Sequence, residues 1–87
     1  MTRQVPRQIP LITGRNIATA RVQKGMTQRD VAEAIAERVP DALISPADIS
    51  RWERAKVEPG GKYRHALAAV LFDGDLSAMY AEEAAAA

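Results

Sequence analysis

SPADISRWERAKVEP, residues 45–59, reads as one short helix with two chemically different sides. Ser45 is a favourable N-cap, and Pro46 falls at the first helical position, where a missing N–H costs nothing. Asp48 stands three residues after Ser45, a weak form of the capping box, and adds negative charge to the first turn. At 3.6 residues per turn, Ile49, Trp52, Glu53 and Lys56 share one side. Ala47, Ser50, Arg51 and Arg54 share the other, at i, i+3, i+4, i+7 spacing. The side with Ile49 and Trp52 is expected to face a core. The opposite side joins small residues to two guanidinium groups, a surface that a polyanion can approach closely. The helix is expected over about 46–56, with Pro59, Gly60 and Gly61 ending the element.

Working outward, the rest of the chain reads as further helices. Pro6 and Pro10 make residues 1–12 an extended or flexible basic arm. Thr13 is expected to cap a helix over 14–24, with Gly25 as its stop and Ile17 and Ala20 as a small apolar face. Thr27 caps a second helix over 28–38, whose buried stripe holds Val31, Ala32, Ala34 and Ile35. Pro40 ends it, and residues 39–44 form a connector to the Ser45 helix. A fourth helix over 62–72 carries Tyr63, Leu67, Val70 and Leu71 at i, i+4, i+7, i+8. Asp73-Gly74 breaks it, and Asp75 caps a last helix with Leu76, Met79 and Tyr80 on one side. The Ala-rich tail, 82–87, is expected to fray. With no strand pattern, the expected fold is all-α: a compact bundle of about five short helices around one core.

Composition narrows the class. Eighty-seven residues suit one small domain, and the absence of cysteine excludes a disulfide framework or a thiolate metal site. No apolar run approaches the roughly 20 residues a bilayer span needs. The opening MTRQVPRQIPLI lacks the apolar core of a signal peptide, so a soluble cytoplasmic protein is the expectation. The net charge of +1 conceals an asymmetry. Arg3, Arg7, Arg15, Arg21, Lys24 and Arg29 precede the first acid, Asp30, whereas Asp73, Asp75, Glu82 and Glu83 follow Phe72 with no base among them. A basic face for nucleic acid and an acidic far side would give this pattern; so would solvated surface arranged by chance.

Gly25-Met26-Thr27-Gln28, then Val31-Ala32, Ile49-Ser50-Arg51-Trp52-Glu53, Glu58-Pro59, and Leu67-Ala68 with Leu71, in this order, resemble the helix-turn-helix family of phage repressors and Cro-like regulators, lambda-repressor-like in fold. The resemblance covers residues 17–71. It implies that the helix after Thr27-Gln28 crosses the DNA backbone and that the Ile49–Glu53 helix enters the major groove. By it, Thr27 and Gln28 would meet phosphates, Pro46, Ala47, Ser50 and Arg51 would face base edges, and Arg54 and Lys56 would lie near backbone. It also pairs Arg21 with Glu53. Two features depart from the family. The path from Ile35 to Ser45 holds no Gly and is longer than the usual tight turn, which implies an altered docking angle or a second helix that runs on by a turn. Arg64 stands where the family places an apolar residue, so Tyr63 is expected to do the packing there.

The residues by themselves point the same way. Arginine is the commonest reader of guanine, through paired bonds to O6 and N7, so Arg51 is the first candidate for direct readout. Pro46 and Ala47 can touch a thymine methyl, and Ser50 can bond as donor or acceptor. A solvated helix face is the plain alternative for Arg51 and Arg54, and ordinary helix surface for Gln28. Trp52 belongs to the core rather than to a base-stacking platform. Arg3 and Arg7, on the acid-free arm, are candidates for the minor groove, with an idle tail as the alternative.

Enzymatic and metal readings find little footing. His65 is the only histidine and has no carboxylate partner at helical spacing. Ser45, Ser50 and Ser77 lack an activating base, and Asp73-Gly74-Asp75 does not continue into a calcium-ligand series. No catalytic residue, metal or cofactor is expected. The sequence reading is a sequence-specific regulator of double-stranded DNA, a repressor of phage or mobile-element type in a bacterial or phage-infected cell. It would be a monomer or weak homodimer, paired on DNA, with no membrane partner. The alternative is a protein-interaction module, such as an antitoxin whose helix-turn-helix supports binding to a partner protein.

Overall fold

The computed structural model describes residues 5–81, with side chains from Ile12 onward. Five helices follow one another: α1 (Val5–Gln23), α2 (Gln28–Arg38), α3 (Pro46–Glu53), α4 (Gly61–Leu71) and α5 (Leu76–Tyr80). The described residues contain no strand, so the expected all-α bundle is what forms.

Two of these helices start with an aspartate that closes back, three residues on, to the N–H of the cap residue. At α2 the Thr27 hydroxyl accepts the Asp30 N–H at 3.0 Å, and the Asp30 carboxylate accepts the Thr27 N–H at 2.9 Å. At α3 the Asp48 carboxylate accepts the Ser45 N–H at 2.9 Å and the Ser45 hydroxyl at 3.1 Å, with Pro46 at the first helical position. Such contacts satisfy donors that a helix start leaves orphaned, and losing one costs about 1 kcal/mol.

Two helix ends also match each other. After α1, Gly25 turns left-handed at φ 69°, with its N–H on the Val22 carbonyl and the Met26 N–H on the Arg21 carbonyl. After α3, Ala55 does the same at φ 61°, with its N–H on Trp52 and the Lys56 N–H on Arg51. Both are Schellman motifs, and the second is built without the usual glycine. This closure corrects the expected extent of α3: the helix stops at Glu53, ahead of the Pro59-Gly60-Gly61 stop. Arg54 and Lys56 therefore lie in the turn that follows it.

A second correction concerns the N-terminus. Helix α1 begins at Val5, well before the expected Thr13 cap, and Thr13 is buried within it. Pro6 falls in the first turn, where a missing N–H costs no intrahelical bond, and Pro10 lies in the second turn, where a proline loses the bond to the Pro6 carbonyl and crowds it without ending the helix. Arg7 is thus helical rather than part of an extended arm. Arg3 and the tail 82–87 lie outside the described residues.

The core is drawn from every helix: Ile17, Val31, Ile35, Ile49, Leu67 and Met79 are fully enclosed. Trp52 is buried against the half-buried Tyr63, ring centroids 5.6 Å apart. Arg64 is exposed and donates to the Tyr80 hydroxyl at 3.4 Å, so Tyr63 does the packing at this register, as its position implied. Met79 draws α5 onto its own chain, and the Asn16 amide donates to the carbonyls of Met79 at 2.9 Å and Ala81 at 3.0 Å. The stripe of Leu76, Met79 and Tyr80 therefore covers this chain's core. No helix among the described residues is long and apolar enough to cross a membrane.

Candidate nucleic-acid interface

What fixes α3 in rotation is a joint at its C-terminal end. Arg21 grips Glu53 with two donors, Nε to Oε2 at 2.6 Å and Nη2 to Oε1 at 3.2 Å. Its remaining Nη1 donates to the Met26 carbonyl at 3.0 Å, tying the same fork to the turn before α2. Gln28 adds a third element, its Nε2 donating to Glu53 Oε1 at 3.0 Å. The pair is mostly withdrawn from solvent, with side-chain exposures of 18% for Arg21 and 8% for Glu53. The bond to Glu53 raises the Arg21 pKa further above its ordinary value. Gly14 completes the joint from α1. A β-carbon there would stand 2.6 Å from the carbonyl oxygens of both Trp52 and Glu53, so only glycine lets α1 cross the end of α3 this closely.

With Ile49, Trp52 and Glu53 held inward, the other side of α3 faces solvent. Ala47, Arg51 and Arg54 are exposed, and Ser50 and Pro46 are half-buried. Arg51 bonds Asp48 one turn earlier, Nη2 to Oδ1 at 2.7 Å. The Asp48 carboxyl is held below the usual carboxylate range, chiefly by the Ser45 N–H, with Arg51 and the Ser45 hydroxyl adding to it. Lys56, exposed in the following turn, and Arg54 form no ion pair among the described residues.

The residues singled out in the sequence thus have different fates. Pro46, Ala47, Ser50 and Arg51 come together on one helix face, with Arg54 and Lys56 beside its C-terminal end. Thr27 is exposed, and its hydroxyl serves as the α2 cap. Gln28 is half-buried with its amide turned to Glu53, which makes it a strut of the α2–α3 joint. Arg7 belongs to α1, away from any extended arm. His65 is exposed on α4, and the described residues contain no cluster of three or more side chains able to hold a metal ion.

The structure adds Gly14 and Asn16 to the residues that hold the fold, and gives Arg29, one of the cations ahead of the first acid, a place beside α3. Arg29 is exposed and lines a hollow of about 230 Å³ with Ser45 and Pro46, which puts a further cation beside the start of α3. Its place in the first turn after Thr27-Gln28 was the available signal. Gly14 stands at the expected helix start, and the distant partners of Gly14 and Asn16 leave no signal in the neighbouring sequence. Comparison of this chain with protein-family models, curated proteins and solved structures finds no match.

Proposed function

We propose that the protein binds double-stranded DNA and regulates transcription, with α3 in the major groove. The observation that carries this reading is the two-sidedness of α3. One side is locked by Glu53 to α1 and α2, through Arg21 and Gln28, while the other presents the exposed Ala47 and Arg51 and the half-buried Ser50, with the exposed Arg54 just beyond its end. A rigid helix with small residues and an arginine outward suits base-edge recognition, because side-chain readout needs close and repeatable approach. Arg29, Arg54 and Lys56 surround the strip with cations that suit phosphates. In this reading the protein is a binding protein rather than an enzyme, acts as a repressor in the cytoplasm, and pairs only weakly off DNA.

Selection from a random duplex pool, followed by titration at several salt concentrations, tests it. The expected result is enrichment of one sequence and an affinity that falls steeply with salt. Flat recovery of all sequences at every salt concentration would contradict it. A second reading, docking to a partner protein, is favoured by Leu43. This connector side chain is 95% exposed and stands beside a hollow of about 210 Å³ that Trp52, Val57 and Tyr63 help to line. Stable co-purification with another protein, with no DNA affinity, would favour that reading.

A further inference from the structure

We infer that Asp48 is a positioning residue for Arg51 and so helps set the sequence preference of α3; this rests on the DNA-binding reading above. The geometry is a two-step brace. Asp48 Oδ2 accepts both the N–H and the hydroxyl of Ser45, at 2.9 and 3.1 Å, which fixes the carboxylate to the helix start. Asp48 Oδ1 then accepts Arg51 Nη2 at 2.7 Å. The arginine is therefore tethered at its tip, while its side chain remains 49% exposed. A guanidinium carries five N–H donors, and engaging one leaves four to meet a base.

Two consequences follow for binding. A free surface arginine loses rotamer freedom when it pairs with a base, whereas the tethered one has lost part of it beforehand. A guanidinium biased toward one orientation also discriminates between bases better than one that swings freely to the nearest phosphate. Against this, a carboxylate on a surface facing DNA repels phosphates at every sequence. Asp48 is thus expected to trade general affinity for discrimination, which a helix cap alone does not do.

The test uses the full chain and four proteins: wild type, Asp48→Ala, Arg51→Ala and the double variant. The quantity measured is the ratio of affinities for the selected duplex and for one changed at the base pair that Arg51 reads. Asp48→Ala is expected to lower this ratio about fivefold or more, a part of what a good bidentate contact supplies. Its affinity for unrelated duplex should rise. In the Arg51→Ala background, removing Asp48 should leave the ratio unchanged. Ser45→Ala, which removes the hydroxyl bond of the brace but keeps the Ser45 N–H and the Arg51 contact, should lower it by less than Asp48→Ala does. If Asp48→Ala fails to fold, Asp48→Asn, which keeps an acceptor for the Ser45 N–H, carries the same expectation in reduced size. An unchanged ratio in the folded Asp48 variant would overturn the inference, as would an equal fall with and without Arg51. Wild-type protein with no preference among duplexes would instead remove the DNA reading on which the inference stands.

Discussion

Arg21 with Glu53 and Arg51 with Asp48 are both arginine–carboxylate pairs that involve α3, and they belong to two different environments. The first is a forked pair at the α1–α3 crossing, largely shielded from water and joined by Gln28 and the Met26 carbonyl. The second is a single contact within one helix turn, open to solvent. In the first, either charge left alone would be stranded in a poorly solvated site, so the pair is a structural commitment. In the second, water can replace the partner, so the contact contributes little to stability and the arginine can engage a ligand. The inner pair sets which way α3 faces; the outer pair lies on what it shows.

The largest expected effect is at the inner pair. Glu53→Ala strands Arg21 and removes the acceptor of Gln28, and breaking such a buried pair costs about 3 kcal/mol or more. For a domain of this size that corresponds to a melting point lowered by about 12 °C or more. A thermal melt indistinguishable from wild type would show that the joint carries no load.

Gly14→Ala comes next and sets two principles against each other. Helix propensity alone favours alanine by about 1 kcal/mol. The new methyl would meet backbone carbonyls at 2.6 Å, which no side-chain rotation relieves. Overpacking of that kind costs about 1–3 kcal/mol, so a net loss of stability is expected in chemical denaturation. A stabilised Gly14→Ala protein would mean that α1 and α3 do not approach this closely.

The smallest effect is at the end of α3. Ala55 holds a left-handed conformation that glycine adopts freely, so Ala55→Gly should stabilise the fold by up to about 1 kcal/mol. Destabilisation in the same assay would show that the Ala55 side chain makes contacts worth more than its backbone strain.

The same contrast between local and distant partners explains what could be read from the chain. The starts of α2 and α3 were legible because Thr27 with Asp30, and Ser45 with Asp48, are partners three residues apart. The inward side of α3 was legible because Ile49 and Trp52 repeat at helical spacing. The start of α1 was not, since Pro6 and Pro10 signal a break, yet a proline in the first turn loses no bond and the helix continues past the one in the second turn. The stop after Glu53 was hidden because alanine rarely takes the C′ position of a Schellman motif. Gly14 and Asn16 act on residues far along the chain, and nothing in their neighbours announces it. Among candidate site residues, the outward strip of α3 was legible from periodicity. The inward turn of the Gln28 amide was not, because it depends on where Glu53 arrives.

The central claim is that the outward side of α3 reads DNA while the inward side only holds it. Arg51→Ala, compared with wild type for thermal stability and for binding to the selected duplex, tests both halves at once. A melting point within about 3 °C of wild type is expected, since an exposed pair contributes well under 1 kcal/mol. A loss of about 1–3 kcal/mol on the selected duplex is also expected, with relaxed choice at one base pair. Unchanged affinity and unchanged preference in a folded Arg51→Ala protein would contradict it.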